Sequence, residues 1–155
     1  MTSPCSSRLW PSHYQPILQW LSFFFFFFFL AYNSHPSHAD VGTAARYSPP
    51  YSPTACYGSE PTQFPSSNLF AAAGEGVWDN GASCGRQYLV RCISSRLPGT
   101  CVPAGKTIQI IIVDYSRLAI SPPSAPAKTI VLSDSAFAAI ANSTADSINI
   151  DFQQV

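Results

Sequence analysis

Chemistry in this 155-residue sequence must come from very few side chains. The three histidines are His13, His35 and His38, all inside a segment whose composition marks it as a removable leader. Without imidazole, a Ser-His-Asp or Cys-His nucleophile system and a His-ligated metal are excluded. Carboxylates, tyrosines, lysines and arginines remain. The best-placed carboxylate is Asp114, which follows directly on the apolar run Thr107–Val113 and so stands at the end of a strand. Glu75 and Asp79 read as loop residues. Gly74-Glu75-Gly76 is a lone Gly-x-Gly with neither a Lys nor an expected helix behind it, so it is no phosphate loop. No cofactor and no bound metal is expected.

The leader is residues 1–39. It contains no Asp or Glu, and Arg8 with the amino terminus supplies the positive start. Leu21 to Tyr32 is an almost unbroken apolar run with seven consecutive phenylalanines, and Ser37-His38-Ala39 offers small residues where a signal peptidase reads. Its twelve positions fall short of the roughly 20 apolar residues that cross a bilayer. Cleavage rather than stable membrane insertion is therefore expected. Residues 40–155 then form one domain of 116 residues (155 − 39), with seven basic and eight acidic side chains. A net charge of −1 without a basic cluster excludes nucleic acid as a partner. Cys5 leaves with the leader. Cys56, Cys84, Cys92 and Cys101 remain, an even set that in a small secreted domain reads as two disulfides. Of three connectivities, Cys56–Cys84 with Cys92–Cys101 is the expected one. Closing the longer loop contributes roughly 3–4 kcal/mol in the chain-entropy model.

The elements that must position these groups centre on Trp78 to Cys92. Asp79-Asn80-Gly81 is a turn, because Asn-Gly tolerates the positive φ of a tight reversal. Gln87 to Cys92 is a strand with Tyr88, Val90 and Cys92 on one face. Val41 to Tyr47 reads as a first strand, followed by the stiff loop Ser48-Pro-Pro-Tyr-Ser-Pro53. Asn68 to Ala73 is a buried strand or a single helical turn. Thr107 to Val113 is apolar on both faces, as a central strand requires. Ile130 to Leu132 is a short strand, and Ser133 caps a helix from Asp134 to about Ala141. Ile148, Ile150 and Phe152 alternate with polar residues in a last, half-buried strand. Around six short strands and one helix point to a mainly β domain, a small closed barrel.

Several stretches occur in a characteristic order. They are Gly42-Thr-Ala-Ala-Arg-Tyr47, Pro49-Pro50-Tyr51, Ala55-Cys-Tyr-Gly58, Trp78-x-Asn-Gly-Ala-x-Cys-Gly85, Ile112-Val-Asp-Tyr115, Leu132-Ser-x-x-Ala-Phe-x-x-Ile-Ala141 and Ile148-x-Ile-Asp-Phe152. Over residues 41–155 the chain closely resembles the plant natriuretic peptide-like proteins, single-domain relatives of expansins and family-45 endoglucanases. The resemblance implies a six-stranded double-psi β-barrel with one or two short helices. It also implies secretion to the plant apoplast and signalling in water and ion homeostasis and stress. The pattern breaks at 116–129. Relatives carry Asp-Tyr-Cys-Pro and a second cysteine there, whereas this chain has Ser116 and a longer, Pro-rich segment, so a looser loop beside Asp114 is expected.

The resemblance makes Asp114 the only catalytic candidate, since hydrolytic relatives use the aspartate at this strand end as general acid. Inverting hydrolysis also needs a second carboxyl roughly 6.5–9.5 Å away. Here Tyr47 is followed by Ser48-Pro49-Pro50, without an acid where those relatives supply one. A structural Asp114 that accepts loop backbone N–H bonds, and a protein that is not an enzyme, are therefore expected. Tyr47, Tyr51, Trp78, Asp114 and Tyr115 form the expected ligand groove, with Tyr57 nearby. Arg86, Tyr88 and Arg91 form the expected receptor-facing segment. Asn142-Ser143-Thr144 is a glycosylation sequon. The expected role is that of a monomeric apoplastic signalling protein meeting a cell-surface receptor. A non-hydrolytic module for cell-wall polysaccharide, a barwin-like defence protein and a weak lytic enzyme acting through Asp114 alone are the alternatives.

Overall fold

The alternation of apolar side chains along six short strands sorts the residues onto two faces of one closed wall. The structure, a computed structural model, describes Phe24, residues 39–102 and residues 105–155. The expected leader, apart from Phe24 and Ala39, lies outside the described residues.

The strands are β1 (Asp40–Tyr47), β2 (Phe70–Ala73), β3 (Gln87–Ser94), β4 (Thr107–Tyr115), β5 (Ile130–Ser133) and β6 (Ile148–Gln154). They close in the order β1-β5-β2-β4-β3-β6. β1 pairs with β5, and β2 with β4, in parallel, while the other four pairings are antiparallel. Closure leaves no strand edge for another chain to extend. Two short helices complete the fold: α1 (Glu75–Trp78), which the sequence reading had as loop, and α2 (Asp134–Ile140). The Ser133 hydroxyl caps α2 by accepting from the Ala136 N–H at 3.2 Å. Of the run Asn68 to Ala73, Phe70–Ala73 forms strand β2 and no helical turn.

Period-two alternation divides the core. Ala71, Ala73, Val90, Ile110, Ile112, Ile130, Leu132, Ile148 and Ile150 point into the barrel, where Phe137 and Ile140 of α2 join them. Their neighbours Phe70, Ala72, Val113 and Val131 point out of the wall and form a second cluster with Tyr47. Tyr51 and Phe64, from the long segment between β1 and β2, pack against that cluster. β2, β4 and β5 are thus covered on both faces, as the continuous apolar run of β4 requires.

Two bridges fasten the connections: Cys56–Cys84, with sequence separation 28, and Cys92–Cys101, with separation 9. Gly74 is needed for close approach. A Cβ there would lie 1.9 Å from the Lys128 carbonyl oxygen, where its own N–H bonds the Thr129 carbonyl at 2.9 Å. Asp79, Asn80 and Gly81 all have positive φ, so the reversal after α1 uses each residue of the Asp-Asn-Gly signal.

The Pro-rich segment 116–129 is held at several points. The Ser121 hydroxyl donates to the Pro50 carbonyl at 2.8 Å, and the Ser124 hydroxyl to the Asp146 carbonyl at 2.7 Å. The Ser124 N–H bonds the Arg46 carbonyl at 2.8 Å, and the Thr129 N–H the Thr43 carbonyl at 3.0 Å. Backbone and hydroxyl bonds to β1 and its following loop hold the segment down without a disulfide.

Candidate functional site

β4 brings Asp114 to its position through an irregularity. Ala71 pairs with Ile112, but Ala72 pairs with Asp114, so Val113 is an extra residue opposite β2. Strict alternation would place Asp114 with Ile108, Ile110 and Ile112 inside the barrel. The bulge instead aligns it with Ala72, whose side chain belongs to the outer cluster. The aspartate emerges beneath the loop 54–58.

That loop closes over it. The Thr54 and Gly58 backbones bond each other in both directions, at 2.8 and 2.9 Å. The Ala55 N–H donates to Asp114 Oδ1 at 2.7 Å, and the Tyr115 N–H reaches the same oxygen at 2.7 Å. Cys56 ties the loop to Cys84, and Gly85 lies so near Tyr57 that a Cβ there would come 3.0 Å from the tyrosine oxygen. Asp114 is consequently 0% exposed. Its Oδ2 finds no hydrogen-bond partner among the described residues. Burial pushes the carboxyl above the ordinary carboxylate range, and the two N–H bonds to Oδ1 pull against that rise.

The expected aromatic groove is in fact two separate groups. Tyr47 is 1% exposed, with its ring edge-on to Tyr51 at 5.0 Å and to Phe70 at 6.3 Å. Tyr51 and Phe64 extend this packed set over Phe70, at 4.9 and 4.7 Å from its ring. Burial and the nearby Asp114 carboxyl push the Tyr47 hydroxyl far above its usual range. Tyr47 is a core residue and no ligand contact, a correction that follows from β1 turning it onto the outer cluster. Tyr51 is half-buried, and its hydroxyl accepts from the Asp134 N–H at 3.3 Å.

Trp78 and Tyr115 form the second group. Their rings stack at 4.6 Å with an interplanar angle of 14°, and both stay half-buried. The Tyr115 hydroxyl donates to Glu75 Oε2 at 3.0 Å, and Arg117 Nη1 donates to the same oxygen at 2.7 Å. These two bonds hold the Glu75 carboxyl below its ordinary range. The sequence offered Glu75 and Asp79 as possible second carboxyls for hydrolysis. Glu75 is engaged by Arg117, and Asp79 by Arg86 at 2.8 Å.

The expected receptor-facing segment also divides. Tyr88 is 6% exposed and packs in the barrel interior beside Phe152, so it is not a surface residue. The alternation that places Val90 and Cys92 inward places Tyr88 there too. Arg91 lies on the outer face, its Nε donating to Asp151 Oδ2 at 2.8 Å across the β3–β6 pair. Arg86 precedes β3, with its guanidinium against Asp79. Asn142 is exposed, and its Oδ1 accepts from the Thr144 N–H at 3.0 Å in a local turn. Among the described residues no cluster of His, Cys, Asp and Glu could hold a metal ion.

The closed six-stranded mixed barrel with two parallel pairs is a double-psi β-barrel domain. A lytic transglycolase family model matches residues 70–152. The chain belongs to the EG45-like domain family, the expansin- and endoglucanase-related group that includes plant natriuretic peptides. An EG45-like domain containing protein of Citrus jambhiri is 37% identical over 122 residues, covering 78% of this chain and 86% of that one. EG45-like domain containing protein 2 of Arabidopsis thaliana is 32% identical over 119 residues, covering 77% and 83%. The apo structure of Clavibacter michiganensis expansin is similar in fold, with TM-score 0.54 and 21% identity over 76% of this chain. A mutant of that expansin in complex with cellohexaose gives TM-score 0.56. The chain spans half the length of this expansin.

Proposed function

We propose that the chain is a secreted, monomeric, non-enzymatic recognition protein of the plant apoplast, and that its partner is cell-wall polysaccharide met at the Trp78–Tyr115 surface. The observation that carries this reading is the contrast around Asp114. The one carboxyl that could act as an acid is fully enclosed, with Oδ1 accepting two backbone N–H bonds. The aromatic pair beside it keeps exposed surface and a charged rim.

A glycosidic oxygen can be protonated only by a carboxyl within hydrogen-bond reach. Reaching Asp114 requires opening a loop fastened by Cys56–Cys84 and by the Ala55 N–H. Activating water requires a second carboxylate, and both neighbouring candidates are bonded to arginines. Stacking a sugar on an aromatic face needs neither step. The cellohexaose bound to the related expansin mutant supports a β-glucan as the polymer. The disulfides, the family and the expected leader 1–39 support export. In an exported chain, Asn142 is an exposed glycan acceptor.

The test is retention on insoluble cellulose and xyloglucan. Binding that falls severalfold in Tyr115→Ala, with the fold intact by circular dichroism, is the expected result. Equal retention of wild type and variant would remove the surface from the account.

A second reading is signalling in water and ion homeostasis through a cell-surface receptor, as the resemblance to natriuretic peptide-like proteins implies. The observation favouring it is Arg91, whose side chain stays 49% exposed despite its bond to Asp151. Swelling of protoplasts by purified protein, lost in Arg91→Ala, would support it. No volume change at any concentration would count against it.

A further inference from the structure

Between α1 and the segment 116–129 lies an open hollow of about 540 Å³. Glu75, Arg117 and Lys128 are the charged residues of its lining. Pro123, Pro126 and Val131 supply apolar wall, and Ser116 and Thr129 supply polar atoms. We propose that this hollow binds the carboxylate-bearing ring of an acidic polysaccharide, a hexuronate unit. The inference rests on the reading of the protein as a polysaccharide-recognition module and names a second sugar class for it.

Charge is the first argument. Glu75 is neutralised by Arg117 at 2.7 Å, so the lining charge is −1 + 1 + 1 = +1, carried by Lys128. Lys128 is half-buried and makes no ion pair with any described carboxylate. A lysine lining a hollow without a counter-charge is available to receive an anion. Arg117 gives one Nη1 bond to Glu75 and keeps further donors on its guanidinium for a second acceptor.

The backbone is the second argument. Ala127 has φ +52°, a left-handed conformation that costs a residue with a Cβ and is held only where the surroundings impose it. Close contacts with Gly74 fix the two residues that follow Ala127. The Lys128 carbonyl is wedged against Gly74, and the Thr129 carbonyl takes the Gly74 N–H at 2.9 Å. The strained residue thus immediately precedes Lys128, on the wall of the hollow.

The shape fits a sugar acid better than a bare inorganic anion. Proline and valine surfaces pack against the C–H faces of a pyranose, while the cation meets its carboxylate. The hollow also continues the Trp78–Tyr115 surface, because Glu75, on its rim, bonds the Tyr115 hydroxyl. A polymer lying on the aromatic pair would pass its next units over Arg117 toward Lys128.

The test is affinity electrophoresis of the purified protein in gels holding polygalacturonate, its fully methyl-esterified form, or hydroxyethyl cellulose. Retardation by polygalacturonate that weakens with salt and disappears on esterification is expected. Lys128→Gln, which keeps the stem and removes the charge, should weaken it roughly tenfold, the scale of one charge-assisted bond. Lys128→Arg should restore it, and matching thermal midpoints would show that each variant folds. Equal retardation of Lys128→Gln and wild type would overturn the inference, as would equal retardation by the esterified polymer. Retardation by the neutral cellulose derivative alone would overturn the hollow and leave the aromatic surface standing. Retardation by polygalacturonate alone would support the hollow and remove the neutral-glucan reading.

Discussion

Two groups of aromatic side chains lie on either side of Asp114, and they differ in what surrounds them. Tyr47, Tyr51, Phe64 and Phe70 meet edge-on or tilted against the outside of the barrel wall, with Tyr47 and Phe70 fully enclosed. Trp78 and Tyr115 stack face to face at the surface, beside a carboxylate and a guanidinium. The first group packs the outer side of the barrel wall. The second offers ring surface to solvent. Residue type alone does not separate the two, because a tyrosine serves equally in a core and at a glycan surface.

The sharpest way to break this comparison is truncation. Tyr47→Ala should cost about 3–5 kcal/mol, the range for emptying a buried aromatic site, read as a shift in the denaturant midpoint. Tyr47→Phe keeps the ring and removes a hydroxyl without a partner among the described residues, so stability should hold or rise. If Tyr47→Ala unfolds no more easily than wild type, the edge-on group is not a structural core.

Asp114→Asn probes the boundary between the groups. The folded protein keeps the Asp114 proton to a higher pH than the unfolded chain, because burial raises the carboxyl above its ordinary 3.8. In the window above 3.8 the native state therefore binds more protons, and stability falls as pH rises through it. The contribution is fully present below that window. Unfolding measured from pH 3 upward should show this decline in wild type and lack it in Asp114→Asn. A decline that survives the substitution would assign it to another group.

Tyr115→Ala should be milder for stability, about 0.5–1.5 kcal/mol for the lost aromatic pair, while retention on glucan drops severalfold. The opposite ranking of Tyr47→Ala and Tyr115→Ala in either assay would exchange the roles of the two groups. Smallest of all is Glu75→Gln. Its ion pair with Arg117 is fully solvated, so the thermal midpoint should not move measurably.

Much of the architecture is legible in the residues. The apolar run of β4 from Ile110 to Val113, alternating β6, the Ser133 cap and the Asp79-Asn80-Gly81 reversal each follow from local rules and are found in the structure. The site was harder to read, for two identifiable reasons. The Val113 bulge changes which face Asp114 shares, and nothing in Ile112-Val-Asp-Tyr115 signals an extra residue. Inward and outward faces of β1 are both covered, so the burial of Tyr47 depends on a loop some distance along the chain, contributing Tyr51 and Phe64. Tyr88 could have been placed correctly from sequence, since it alternates in phase with Val90. The functional resemblance drew it to the surface against that signal. Helix α1 was missed because Gly74, Gly76 and Gly81 make the stretch read as loop, although one turn fits between them.

The central claim is that a sealed carboxyl leaves the barrel able to hold polysaccharide without cutting it. It is tested most directly by following, in one incubation of purified protein with amorphous cellulose, both the bound fraction and the reducing ends released. The bound fraction should fall in Tyr115→Ala, with reducing ends at the protein-free level throughout. Reducing ends that accumulate with time, and cease in Asp114→Asn, would contradict it.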